Sequence, residues 1–428
     1  MPTVGVSTEV CQALANLFGR LWQTCETEMA PTRQDQLESP RRLSRLRIID
    51  ALRAGGRMSR ADVARATGLS RPMVSNLVNE LRAVGLVLED AAPVATRGRQ
   101  GGRPPILLRL DASAGTAIGI DFDHAHVRVA VSDLALRIRA ERTQPLDPAE
   151  AAEAGLDLAA TMVERVLVDA GASRRRVVGV GIALPGTIEQ PEGVVGPSSI
   201  LPQWTGVAAA AEMRRRLDLP VVADNDANLG AVAEAAFGAA RHAQDVLYVK
   251  LTSGIGAGVI VKGGLYRGAA GRAGEIGHVR VRPDGPVCRC GRRGCLETVA
   301  STDALRRALR LDHDRDLTVA AIIEAARRGD RDCRRVIVEG GGALGGVVAT
   351  LLNVLNPEAV VIGGDLAAVG DILVGAVERT IASDALPESA AAARVVPGVL
   401  GDRTQLLGAL ALVISGIDRP LAETGSPG

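Results

Sequence analysis

At 428 residues the chain is long enough for two or three domains with substantial apolar cores, and a formal net charge of +1 excludes a chain that is basic throughout, so any nucleic-acid surface must be local. Lysine occurs only at 250 and 262, every other cation is arginine, and aromatic residues make up 2%; with abundant Ala, Gly and Val this reads as GC-rich coding, so an arginine alone is no functional signal. The absence of a run of about 18 apolar residues argues against a membrane span, and the missing basic-then-apolar leader pattern argues against secretion, which makes the cytoplasm the expected compartment.

Residues 1–38 carry weak helical signals (Leu14, Leu17, Phe18, Leu21) and then a polar stretch ending at Ser39-Pro40. They read either as an extension or as a start-codon artefact. Residues 39–110 form a basic unit: between 41 and 110 there are fourteen arginines against five acidic residues, a net of +9. Such asymmetry against a near-neutral whole points to a nucleic-acid module joined to something else.

Three helices are predicted in that unit. Leu43, Leu46, Ile49 and Leu52 keep one face apolar over about 42–54. Ser59, with Asp62 three residues on, is a capping pattern for a second helix ending at Thr67-Gly68. Ser70 caps a third, where Val74, Leu77, Val78 and Leu81 follow the spacing of a buried stripe. Helix, glycine turn, capped helix is the helix-turn-helix arrangement. The outer side of the third helix offers Ser70, Arg71, Ser75, Asn76 and Asn79 to base edges and phosphates. Residues 86–89 and 106–110 read as a hairpin whose tip carries Arg97, Arg99 and Arg103, suited to the wing of a winged helix. The competing reading is a three-helix protein-interaction module with a solvated charged loop.

Beyond Gly115 the pattern becomes α/β. Strands are predicted over 117–121, 127–132 and 136–140, then an amphipathic helix over about 149–170 and a buried strand over 177–183. Alternation continues to a strand at 359–362 before Gly363-Gly364, and a final helix covers about 402–416. Residues 417–428, ending in Pro and Gly, read as a disordered tail.

His278 precedes Cys288, Cys290 and Cys295 by ten residues and more, with Gly291 and Gly294 between the later thiols. One nitrogen and three sulfurs suit structural Zn²⁺ in a closed tetrahedron. The alternative is a cluster of free cysteines or an oxidised pair. Cys11, Cys25 and Cys333 have no matched neighbours.

The segment Gly274-Glu275-Ile276-Gly277-His278, followed by Cys288-x-Cys290-Gly291-x-x-Gly294-Cys295-Leu296-Glu297, resembles the signature block of the ROK family of repressors and sugar kinases, in particular its NagC/XylR-type regulators. Asp224-Asn225-Asp226-Ala227-Asn228, Ser253 to Gly258, and Asn356-Pro357-Glu358 leading to Gly363-Gly364 resemble the family's sugar and nucleotide segments. The resemblance spans about residues 41–416. It implies an actin-like, ribonuclease-H-like two-lobed fold over 115–416, a dimer or dimer of dimers, and sugar contacts from Asn225, Asp226, Glu275, His278 and Glu297. For Glu275 and Glu297 plain surface ion pairing is the alternative.

The match fails in one place. Family kinases open with Asp-x-Gly-Gly-Thr, whereas here the stretch is Asp121-Phe122-Asp123-His124-Ala125. Both glycines and the threonine hydroxyl are gone, and Asp123 adds negative charge where phosphate would sit. One such repulsion at about 4 Å, with an effective dielectric near 20, is roughly 4 kcal/mol. Asp226, at the general-base position, can persist as a sugar ligand. The sequence therefore predicts a sugar-responsive repressor acting on operator DNA, without kinase activity. An active sugar kinase with a regulatory head, and a regulator answering to a protein partner, are the alternatives.

Overall fold

Two serine caps set the helices of the head. The computed structural model describes residues 40–90, 106–146, 151–197, 200–313, 316–418 and 421; the expectations for residues 1–38 and for Arg97, Arg99, Arg103, Cys11 and Cys25 lie outside these. Helix α1 (Pro40–Gly55) leads to β1 (Met58–Ser59) and α2 (Arg60–Thr67). Ser59 and Asp62 cap α2 reciprocally, and Gly68 closes it in the left-handed region. Ser70 caps α3 (Arg71–Ala83), which buries Val74, Leu77, Val78 and Leu81 as its spacing predicts. Each such cap contributes about 1 kcal/mol. Strands β2 (Val87–Asp90) and β3 (Leu107–Leu110) pair antiparallel, and β1 joins the outer side of β3, completing a winged helix.

The first lobe is built on a five-stranded mixed sheet. Its antiparallel part is β4 (Thr116–Phe122), β5 (His126–Asp133) and β6 (Ile138–Pro145). After α4 (Ala152–Asp169), β7 (Val177–Leu184) returns parallel to β4. A small hairpin, β8 (Ile188–Glu189) and β9 (Val194–Val195), and α5 (Ala209–Leu217) lead to β10 (Val221–Asn225), parallel to β7. Helix α6 (Asp226–Phe237) starts directly at the end of β10.

The second lobe repeats the plan. Strands β11 (Val246–Leu251), β12 (Ile255–Val261) and β13 (Gly264–Tyr266) are antiparallel. Helices α7 (Glu297–Ala300), α8 (Thr302–His313), α9 (Val319–Arg327) and α10 (Arg331–Leu355) precede β14 (Ala359–Gly363), which lies parallel to β11. Helices α11 (Asp371–Asp384) and α12 (Pro387–Ala392) lead to β15 (Arg394–Pro397) on the outer edge. Helix α10 is long and apolar enough to cross a membrane, but Val336, Ile337, Leu344, Val348 and Leu352 on it are buried in this lobe's core, as expected of a core helix.

The chain ends by returning to the first lobe. Helix α13 (Thr404–Ser415) crosses β7 so closely that a Cβ on Gly181 would fall 2.1 Å from the Ala409 carbonyl oxygen. The expected disordered tail starts too early: Ile417 is buried, and the Leu421 amide donates to Val84 O at 3.0 Å, because both side chains complete the apolar core of the head.

The head is tied to both lobes. On one side Leu43 and Leu46 of α1 share a core with Ala231, Tyr248, Ile260 and Val361. Arg47 donates to the Ala243 carbonyl and Arg241 pairs with Asp50. On the other side the core of the head is continuous with Ala117, Leu134 and Leu136 of the first lobe and with Leu410 and Ile414 of α13.

Candidate functional site: a cleft between the lobes and its thiol cluster

The carboxyl ends of β7, β10 and β11 meet between the lobes, where open α/β sheets place their ligands. The cleft there is lined by Asn225, Asp226, Glu275, His278 and Glu297, so the five residues expected to hold sugar surround one space. Pro185, Gly186 and Ile200 border it, and Lys250, Thr252 and Gly254 complete the wall. Asn225 caps α6 by accepting from the Asn228 amide at 3.0 Å and donates to Gly186 O at 2.8 Å. Part of its hydrogen-bonding capacity thus fixes the strand–helix junction. Glu297 is buried, accepting from Arg289 Nε at 2.7 Å and from the Ile255 amide at 3.3 Å. The ion pair offered as an alternative for Glu297 is present, inside the cleft wall. Burial, then Asp226 and Glu297, push the Glu275 carboxyl up to about 7, leaving it able to donate as well as accept near neutrality.

Lys250 was not singled out from the sequence. Its Nζ donates to Asp226 Oδ2 at 2.7 Å, and both residues are buried. Burial alone lowers a lysine pKa, but Asp226, Asp123 and Asp121 reverse this and hold Lys250 as an ammonium well above its ordinary range. Asp121 is buried with Oδ1 lacking a hydrogen-bond partner; burial raises its pKa to about 7 despite Lys250. Burial also opposes ionisation of Asp123, yet Lys250 and the His124 hydrogen bond (Nδ1 to Oδ1, 2.8 Å) keep it a carboxylate. The usable sequence signal was rarity: one of only two lysines stands at the end of a buried strand, three residues before Ser253-Gly254.

Beside the cleft, the ligand atoms of His278, Cys288, Cys290 and Cys295 all lie within 4.8 Å of one another. Cys288 Sγ is 3.5 Å from His278 Nδ1, and the Cys290 and Cys295 sulfurs are 3.7 Å apart. Ligands about 2.3 Å from one ion at tetrahedral angles would stand about 3.8 Å apart, so the set fits a metal ion. The loop closes tightly: a Cβ on Gly294 would fall 1.4 Å from Arg282 O. The other ring nitrogen of His278, Nε2, faces Glu275 at 3.9 Å. One imidazole therefore spans thiol cluster and cleft. Cys333 is buried in the core of the second lobe.

On the head, Ser70, Arg71, Asn76 and Asn79 are exposed and Ser75 is half-buried. Asn79 Oδ1 accepts from Arg60 at 2.9 Å, which fixes its amide.

Residues 117–415 match the model of the ROK family. This chain belongs to the ROK family. Residues 41–100 match the MarR family, in keeping with the winged helix. Among ROK relatives, the xylose repressor of Caldicellulosiruptor bescii is 31% identical over 388 residues, covering 88% of this chain and 96% of that protein. A solved ROK family transcriptional regulator, a homologue of the E. coli Mlc protein, superposes with a TM-score of 0.70 at 24% identity over 87% of this chain and 96% of its own, a likeness of fold. The ROK glucokinase of Streptomyces griseus, solved with glucose and AMPPNP, is 30% identical with a TM-score of 0.60, covering 70% of this chain and 99% of its own. The winged helix followed by two actin-like lobes is thus the architecture expected from the sequence.

Proposed function

We propose that this protein is a cytoplasmic, DNA-binding transcriptional repressor of carbohydrate metabolism genes, controlled by a sugar bound between its lobes. The observation that carries the reading is the convergence of Asn225, Asp226, Glu275, His278 and Glu297 on one cleft, beneath a head tied to both lobes. Carboxylates, an amide and an imidazole match vicinal hydroxyls, and a site built on such bonds rejects analogues lacking them. The repressor names of full-length relatives point the same way.

A sugar that prefers one lobe arrangement strains a head anchored on each side, because Leu43 and Leu46 of α1 pack on one lobe while Ile48, Ile49 and Leu52 of the same helix share the head core that continues into the other. A hundredfold preference supplies about 2.7 kcal/mol, enough to shift DNA occupancy. On operator DNA, Arg71, Ser75, Asn76 and Asn79, with Ser70 at the helix start, meet the major groove, and Arg97, Arg99 and Arg103 meet phosphates or the minor groove. A homodimer places two heads on a palindromic operator. His278, Cys288, Cys290 and Cys295 hold a structural zinc, which fixes the His278 ring so that its second nitrogen serves the sugar.

The kinase reading draws on Asp226 at the general-base position. Against it stand the ion pair that occupies Asp226 and the Asp123-His124-Ala125 stretch in place of a glycine phosphate loop. The test is operator binding by fluorescence anisotropy with a panel of neutral aldoses and their phosphates, beginning with xylose and glucose, alongside an ADP-release assay. Release of DNA by a sugar without ADP formation is expected. Sugar-dependent ADP release at kinase rates would overturn the reading.

A further inference from the structure

A cavity of about 320 Å³ lies at the joint between the head and the second lobe, within the size range of small-molecule sites and sharing no residue with the sugar cleft. The head supplies one wall through Arg47, Asp50, Ala51 and Ala54 of α1 and Ala66 of α2. The other wall holds Arg241 and His242, from the connection between α6 and β11. Both are exposed, so solvent reaches this side of the cavity.

Arg47 lacks a counter-ion. It is only 5% exposed, and buried charges are ordinarily paired. Its guanidinium donates to the Ala243 carbonyl, Nε has no hydrogen-bond partner, and among the described residues no carboxylate pairs with it. Asp50, three positions on along α1, would be the natural partner. Its Oδ1 instead accepts from Arg53 Nε at 3.1 Å, and its Oδ2 pairs with Arg241. Glu358 acts on Arg47 only at a distance, and burial outweighs that attraction, holding the arginine below its ordinary pKa. Three cations, Arg47, Arg53 and Arg241, thus gather around a single carboxylate.

We propose that this cavity binds a small oxyanion, a phosphate or a carboxylate, between Arg47 of the head and Arg241 of the second lobe. A guanidinium presents its N–H groups as a planar fork that suits the paired oxygens of either group, and the Nε of Arg47 has a donor to spare. Ala51, Ala54 and Ala66 leave room for a compact ligand body and offer it no side-chain hydrogen bond. The anion supplies the charge that Arg47 lacks. Because its two arginines belong to different parts of the molecule, it also braces α1 against the second lobe, at a place remote from the sugar.

The test needs neither sugar nor DNA. The full chain is titrated with inorganic phosphate and, separately, with acetate at constant ionic strength, following the melting temperature and the heat of binding. A saturable rise in melting temperature is expected with at least one of them. Phosphate acting alone points to free phosphate or a phosphorylated metabolite, and a response to acetate points to a carboxylic acid. Arg47→Met, matched in length but uncharged, should weaken the apparent affinity by about tenfold or more. Should that variant not fold, Arg241→Gln on the exposed wall carries the same expectation. The absence of a saturable response to either anion would leave water as the occupant and overturn the proposal. A response undiminished in the folded variant would also overturn it, by assigning the anion to arginines elsewhere on the surface.

Discussion

Lys250 and Asp226 form a buried ion pair of 2.7 Å in the wall of the cleft between the lobes. Removing one member of such a pair strands the other charge in a low dielectric, at a cost of about 3–5 kcal/mol. Lys250→Met should lower the urea-derived stability by that order, and adding Asp226→Asn should recover a large part of it. A Lys250→Met protein as stable as the parent would show that the pair carries no such weight.

Asp121 makes stability pH-dependent. Its folded pKa of about 7 lies above the ordinary aspartate value of about 3.9, so the folded state binds more protons than the unfolded one between those limits. Stability from this group is full below about pH 4 and is lost as pH rises through 7. Asp121→Asn should be the more stable protein at pH 8, by up to about 4 kcal/mol, with the difference shrinking towards pH 4. Thermal melts at both pH values measure it.

About one zinc per chain is expected in freshly purified, reduced protein. Cys290→Ser, or chelation, should remove the metal, lower the melting temperature, and weaken sugar binding through loss of the fixed His278 ring. Metal analysis and calorimetry on the same samples decide it; undiminished sugar affinity in metal-free protein would separate cluster from cleft.

On the head, Arg71→Ala or Asn76→Ala should weaken operator binding by about 1–3 kcal/mol while leaving non-specific binding nearly unchanged. Replacing Arg97, Arg99 or Arg103 should instead lower the salt slope by about one per arginine lost. Titrations at several salt concentrations distinguish the two behaviours.

Arg241→Ala removes a tie between the second lobe and Asp50 on α1. Sugar affinity should stay close to that of the parent, while the sugar-induced loss of DNA binding shrinks. An unchanged response would place the coupling elsewhere.

The elements of the head were legible because their signals are local: Ser59 with Asp62, Ser70, and an apolar stripe at helical spacing each act within one turn. The thiol cluster was legible because its ligands sit in one short stretch. The role of Lys250 was not, since its partners Asp121, Asp123 and Asp226 arrive from β4, the turn after it and the start of α6, and only the fold joins them. Ile417 and Leu421 misled for a similar reason. Two apolar residues among Gly and Pro carry no periodicity, and their place in the core of the head depends on the whole chain having folded first.

That placement fixes an order of events during synthesis. Helix α13 fills one face of the first-lobe sheet and Leu410, Ile414 and Ile417 join the core of the head, yet they emerge from the ribosome after both lobes. A nascent chain that stops before residue 404 leaves that face and the underside of the head bare and prone to aggregation. Copies that stop short of α13 are therefore poorly suited to compete for operators, since a stable, docked head requires that helix to have been made.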